Sequence, residues 1–152
     1  MKWGVNISLL MAVSGMIGVR LELVTLVESL DPDFDVPVSY LWMCVAAIAA
    51  NASGAFAAAC NGVGFFRQWR GAPMSRMLHL SNRLFLLIYL PVLSFYLVML
   101  YADLTPEHAP LIHLTALAAL VPFAGITAVY AALLRRQRAL RMAASTSGLP
   151  AS

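Results

Sequence analysis

The sequence predicts an all-α integral membrane protein, a four-transmembrane-helix bundle with both termini on the cytoplasmic side. The first observation is composition, because 61% of the 152 residues are apolar, only 11% are charged, and the mean hydropathy is +0.80. A soluble domain of this length has too little interior to bury so many apolar side chains. The second observation is the length of the apolar runs, and the third is the separation of acidic from basic loops.

The apolar runs predict four helices within one membrane domain, residues 1–141. A helix needs about 20 residues to cross the hydrocarbon core of a bilayer. The predicted helices cover residues 3–27, 37–66, 80–102 and 109–136. The second run carries no charged side chain from Val36 to Phe66, so it must tilt or overhang the membrane. Residues 142–152 are rich in Ala, Ser, Gly and Pro and are predicted to be a disordered cytoplasmic tail.

The first run has an outer end that two interpretations place differently. Its apolar pattern continues unbroken over residues 5–19, which favours a retained helix over a cleaved signal peptide. An arginine inside the membrane costs at least about 2.5 to 3.5 kcal/mol. Arg20 is therefore either part of an intramembrane polar site with Asn51 and Asn61, or the span ends near Arg20 and Leu21–Leu30 forms an interfacial helix.

Charge is separated between the connections. The seven acidic residues lie between the first and second or the third and fourth runs: Glu22, Glu28, Asp31, Asp33, Asp35, Asp103 and Glu107. All the basic residues except Arg20 lie elsewhere: Lys2, Arg67, Arg70, Arg76, Arg83, Arg135, Arg136, Arg138 and Arg141. Since Lys and Arg resist translocation, both termini and the second connection are predicted to be cytoplasmic, in a bacterial inner membrane. The net charge of +3 then reflects topology and not nucleic acid binding.

Small residues at four-residue spacing predict the packing surface of the second helix. Lipid tails are as apolar as leucine, so helices associate in a bilayer through close backbone approach. The predicted stripe consists of Ala46, Ala50, Gly54, Ala58 and Gly62. It either packs inside the bundle or offers a face to a partner or a second copy. The third run is bulky, which favours either a lipid-facing helix or the knob side of a knob-and-groove contact, and Pro91 and Pro122 are each predicted to bend their helices.

Residues that could carry chemistry are sparse, so no enzyme, cofactor or metal site is predicted. His79 and His113 are predicted at opposite membrane faces, which disfavours a haem held between them. Cys44 and Cys60 are about 24 Å apart along one helix, too far for a disulfide. The acidic run 31–35 lacks the glycine and the terminal glutamate of a calcium loop.

Three functions remain as hypotheses. The first is a non-enzymatic inner-membrane protein that docks its helices on another membrane protein, as an immunity protein against a pore-forming toxin or as an accessory subunit. The second is a small oligomeric transporter or channel, supported by the polar and proline residues of the predicted helices. The third is a haem- or quinone-binding subunit of a respiratory complex, which depends on the histidines and the aromatic third run. The expected partners are the lipid bilayer and a membrane protein or second copy.

Overall fold

The computed structural model describes residues 2–31, 33, 36–102 and 109–146, and these residues form four α-helices. The helices are α1 (Lys2–Ser29), α2 (Val38–Trp69), α3 (Arg76–Ala102) and α4 (Ala109–Thr146). The side chains at positions 2, 96, 99–102, 109–119, 144 and 146 are not among those described. Among the described residues, three stretches are long and apolar enough to cross a membrane: Trp3–Ser29, Val38–Trp69 and Arg76–Phe95. The all-helical prediction is confirmed for the described residues.

Helix α1 passes through Arg20 without a break. It carries no proline, and no glycine follows Gly18 within the helix. The hydroxyls of Thr25 and Ser29 bond to carbonyls one turn earlier in the same helix, at 3.1 and 2.7 Å, so neither side chain interrupts the helix. Residues 21–29 are therefore the continuation of α1, and the position at which the span leaves the membrane stays a prediction.

Helix α4 is longer than predicted. It was expected to end at residue 136, with a tail from residue 142, but it continues to Thr146. The reason is local, because residues 137–144 consist of Gln, Arg, Ala, Leu and Met, all strong helix formers. The rest of the predicted tail, residues 147–152, lies outside the described residues. Pro91 and Pro122 both lie inside continuous helices, and the predicted bends there stay predictions.

The connection between α2 and α3 is fixed by caps at both helix ends. Gly71 takes a positive φ of 74°, and its N–H donates to the Gln68 carbonyl at 3.2 Å. The Ala72 N–H donates to the Arg67 carbonyl at 3.0 Å, which completes a Schellman cap on α2. The Ser75 hydroxyl accepts the backbone N–H three residues later at 3.3 Å and so caps the start of α3.

Consecutive helices run antiparallel, since higher residue numbers on one helix contact lower residue numbers on its neighbour. The contacts that fix this register are Gly4–Phe65 and Gly18–Asn51 between α1 and α2, Gly64–Leu78 and Gly54–Phe85 between α2 and α3, and His79–Tyr130 and Phe85–Phe123 between α3 and α4. Helix α2 contacts all three others and packs most extensively on α1. The core lies around Ala57, Ala58, Phe85, Tyr89 and Ile126.

The antiparallel order gives the bundle two ends of different charge. The end with the α1–α2 connection, here the acidic end, carries Glu22, Glu28, Asp31 and Asp33, together with Arg20. The end with the α2–α3 connection and the termini, here the basic end, carries Arg67, Arg70, Arg76, Arg83, Arg135, Arg136, Arg138 and Arg141. The halves of the bundle nearer each end are called the acidic half and the basic half.

Candidate functional site

The predicted small-residue stripe of α2 lies against two different sides of the bundle. A Cβ added to Gly54 would lie 3.3 Å from the Phe85 ring of α3 and 3.6 Å from Ile126 of α4. A Cβ added to Gly62 would lie 3.4 Å from Ser8 of α1 instead. Positions four apart drift by about 40° on a helix, so the stripe turns by about 160° over its length. Ala50, Gly54 and Ala58 are buried, and Ala46 and Gly62 are half-buried.

Glycines of α1 let its backbone approach α2 closely. A Cβ on Gly15 would lie 2.9 Å from both the Asn51 carbonyl oxygen and the Ala55 methyl group. A Cβ on Gly18 would lie 2.8 Å from the Asn51 side chain. These separations are shorter than real Cβ contacts. At Gly15 the neighbour includes backbone, so a larger residue there would move the helices apart, whereas at Gly18 the Asn51 side chain would have to move.

The basic half is joined by polar side chains that bond between helices. Asn61 of α2 and Asn82 of α3 exchange two hydrogen bonds, since each amide nitrogen donates to the other amide oxygen at 3.1 and 2.8 Å. The Asn82 nitrogen also donates to the Leu78 carbonyl at 2.8 Å. Gln68 of α2 donates to the Leu133 carbonyl of α4 at 3.1 Å. Asn61 is fully buried, which marks this amide pair as structural.

His79 is also engaged within the basic half. Its Nδ1 lies 2.9 Å from the Tyr130 hydroxyl, and the two rings meet edge to face at 6.0 Å. The side chain of His113, the other predicted haem candidate, is not among those described. Within the described part of the chain, no group of three or more His, Cys, Asp or Glu could hold a metal ion. Cys44 and Cys60 are free thiols on the same helix, as expected.

The three residues predicted to share an intramembrane polar site lie apart. Arg20 is exposed and lines a groove between α1 and α2 beside Met16 and Phe56. Asn51 is half-buried and faces a cleft elsewhere, while Asn61 is occupied by its amide partner on α3. Tertiary packing therefore divides the predicted site into a surface cation, a cleft amide and a structural amide.

A cleft of about 600 Å³ opens in the acidic half, with walls from all four helices. Its size falls in the range of small-molecule sites, which is about 300 to 1,000 Å³. Its polar lining comes from Ser14, Glu22, Asn51 and Tyr89. Apolar side chains make up most of the remaining wall, and they include Leu10, Ile17, Val92, Leu93 and Pro122.

Two residues of this arrangement were missed at the level of sequence. Glu22 was counted only as a loop acid, although Ser14, Gly18 and Glu22 follow each other at four-residue spacing and so share one side of α1. No prediction was made for Asn82, which lies beside Arg83 near the start of the third run. An asparagine at the start of an apolar run was the only signal for it, and its partner depends on the α2–α3 register.

Helix α2 also keeps one face outside the bundle, here called the α2 seam. Its members are exposed and alternate at spacings of four and three: Val45, Ala49, Ala52, Phe56, Ala59, Val63 and Phe66. This is the spacing of a helix that packs along a second helix. A shorter exposed row of Ala124, Ala128 and Ala132 lies on α4.

Comparisons of the chain with protein-family models, with curated proteins and with solved structures found no match. The functional conclusions below therefore depend on the geometry of the cleft, the α2 seam and the two charged ends.

Proposed function

We propose that the chain is a multi-pass protein of a bacterial inner membrane, with four crossings and both termini in the cytoplasm. The separation of charge between the two ends supports this orientation, because basic residues are retained on the cytoplasmic side. At the basic end, the Arg70 guanidinium lies 4.4 Å over the Phe66 ring, and the neighbouring Trp69 is 68% exposed. Aromatic and basic side chains together suit the headgroup layer of the inner leaflet.

Reporter fusions test this orientation. A phosphatase that is active only outside the cytoplasm should be active when fused after Asp33 and inactive when fused after Ala72 or after Thr146. Activity after Ala72 would reverse the proposed topology. Activity after Thr146 together with inactivity after Ala72 would mean that α4 crosses differently from the proposal.

Within the membrane, the proposed action is non-enzymatic docking of the α2 seam on a transmembrane helix of another membrane protein. The observation that carries this proposal is the exposed seam itself, which runs along α2 for most of its length. Ala49, Ala52 and Ala59 permit close approach of a second backbone, and Phe56 projects between them. The exposed bulky residues of α3, such as Leu84 and Leu87, offer no comparable approach.

The occupant of the seam must itself span the membrane. Trp42 and Trp69 are each 68% exposed and lie beyond the two ends of the seam, where interfacial tryptophans are expected. The connections between helices are short, since α2 and α3 are separated only by residues 70–75. A soluble partner would find little surface there. An accessory subunit and an immunity protein that blocks a pore-forming toxin both act through this kind of contact.

A pair of substitutions tests the docking face. The chain is co-expressed with the product of the adjacent gene, and the complex is recovered from solubilised membranes. Ala59→Phe should abolish recovery, because a bulky ring prevents close approach at the seam. Ala128→Phe makes the same change on the exposed row of α4 and should leave recovery unchanged. Loss with Ala128→Phe alone would place the docking face on α4 and contradict the proposal.

Protection of cells from a co-expressed pore-forming toxin separates the two roles. An immunity protein protects, and Ala59→Phe removes the protection. An accessory subunit leaves sensitivity to the toxin unchanged while its co-purification still depends on Ala59.

A further inference from the structure

The cleft of the acidic half contains a carboxylate without an internal counter-charge. Glu22 is half-buried in the cleft wall, and no described residue forms a hydrogen bond or an ion pair with it. It lies seven residues before the last residue of α1, or about 10 Å from that end of the helix. An ionisable group inside a membrane-spanning helix is costly and is a candidate functional residue.

The neighbouring residues do not neutralise this charge. Arg20 is two positions away, so it points to another side of α1 and lines the groove beside Phe56. On α2, Tyr40 and Cys44 lie within electrostatic range of Glu22, and neither carries a positive charge.

Among their described side chains, the other helices that form the cleft add no cation. Helix α3 contributes Tyr89, Val92 and Leu93, and α4 contributes Val121 and Pro122. The described wall of the cleft therefore contains one acidic side chain, a few neutral polar groups and a large apolar surface.

We infer that this cleft binds a monovalent organic cation with apolar substituents, for which Glu22 supplies the counter-charge. An anion would be repelled by Glu22, and a neutral apolar molecule would leave the carboxylate uncompensated. A bare inorganic ion would leave most of the 600 Å³ and its apolar wall unused. The amide of Asn51 and the hydroxyl of Ser14 provide neutral polar groups in the same space.

The cleft is distinct from the docking surface. It is lined by α1, α3, α4 and the side of α2 that carries Ala47, Ala50 and Asn51, whereas the α2 seam is exposed and borders the groove that contains Arg20. The inference consequently does not depend on the proposed partner, and either can fail without the other.

Binding of tetraphenylphosphonium to the purified full chain in lipid nanodiscs tests the inference. The wild-type chain should bind the probe in equilibrium dialysis, and Glu22→Gln should weaken binding by about 30-fold or more, the usual effect of removing one charge of a buried pair. Glu28→Gln is the matched control, because Glu28 is an exposed acid on the same helix. It should bind as the wild type does.

Two further binding measurements distinguish a cation site from a groove that binds any apolar molecule. Ala47→Phe should weaken binding while leaving Glu22 in place, because its ring enters the cleft that Ala47 lines. Triphenylphosphine oxide, a neutral compound with similar rings, should bind far more weakly than the cation. The inference is overturned by absent binding to the wild type, by equal binding to Glu22→Gln and Glu28→Gln, or by equal binding of the neutral and cationic probes.

Discussion

The basic half and the acidic half of the bundle use polar residues in opposite ways. In the basic half, the Asn61–Asn82 pair and the Gln68–Leu133 hydrogen bond join helices through buried contacts. In the acidic half, Glu22 and Asn51 line an open cleft. Asn51 and Asn61 stand on the same helix, ten residues apart, and still fall on different sides of this division.

The difference indicates which half holds the bundle together and which half is available for binding. A polar group that is hydrogen-bonded to a neighbouring helix contributes to packing, and removing it leaves its buried partner without a hydrogen bond. A polar group that faces a cleft contributes little to packing and can be replaced at small cost. Equivalent substitutions in the two halves therefore test this difference.

The largest effect is expected where α1 meets α2. Gly15→Leu should lower the free energy of unfolding in mixed detergent micelles by about 3 kcal/mol, because the new side chain meets backbone that cannot yield. Val13→Leu places the same residue at an exposed position two residues away and should change little. Equal effects of the two substitutions would mean that the close approach of α1 and α2 is not required.

The same substitution at two alanines compares the packing of the core with that of the cleft. Ala57 is fully buried in the core, so Ala57→Leu should overpack it and cost about 2 kcal/mol. Ala47→Leu extends into the cleft and should stay within about 0.5 kcal/mol of the wild type. A large loss for Ala47→Leu in the same unfolding measurement would show that the acidic half is packed as tightly as the core.

A double-mutant cycle measures the interaction between the amides of Asn61 and Asn82. Asn61→Ala and Asn82→Ala should each cost about 1.5 kcal/mol, because each leaves a buried amide without its partner. The double variant should cost clearly less than the two single costs together, since no unpaired amide remains. Additive costs would indicate that the two side chains do not interact in the folded bundle.

The helices could be predicted because they depend on local properties of the chain. The uncharged run predicted a helix over residues 37–66, and α2 covers Val38–Trp69. The predicted end of α4 was wrong because the tail was judged from Ser, Gly and Pro near the terminus, while strong helix formers continue to Ala144 and the helix itself to Thr146. The orientation in the membrane stays a prediction from charge.

The site could be predicted only in part, because it depends on the arrangement of neighbouring helices. Gly54 and Gly62 share a sequence stripe, yet one faces α3 and α4 and the other faces α1. Asn61 was expected near Arg20, and the register of α3 brings Asn82 to it instead. Glu22 was visible as an acid, but no sequence pattern showed that a cleft lies beside it.

The comparison of Asn61→Ala with Asn51→Ala tests the division of the bundle most directly. The two variants make the same chemical change on the same helix, and their free energies of unfolding are measured in the same micelles. The structure predicts that Asn61→Ala costs about 1 kcal/mol more than Asn51→Ala, whose amide makes no hydrogen bond to a described residue. Equal costs, or a greater cost for Asn51→Ala, would contradict a closed basic half and an open acidic half.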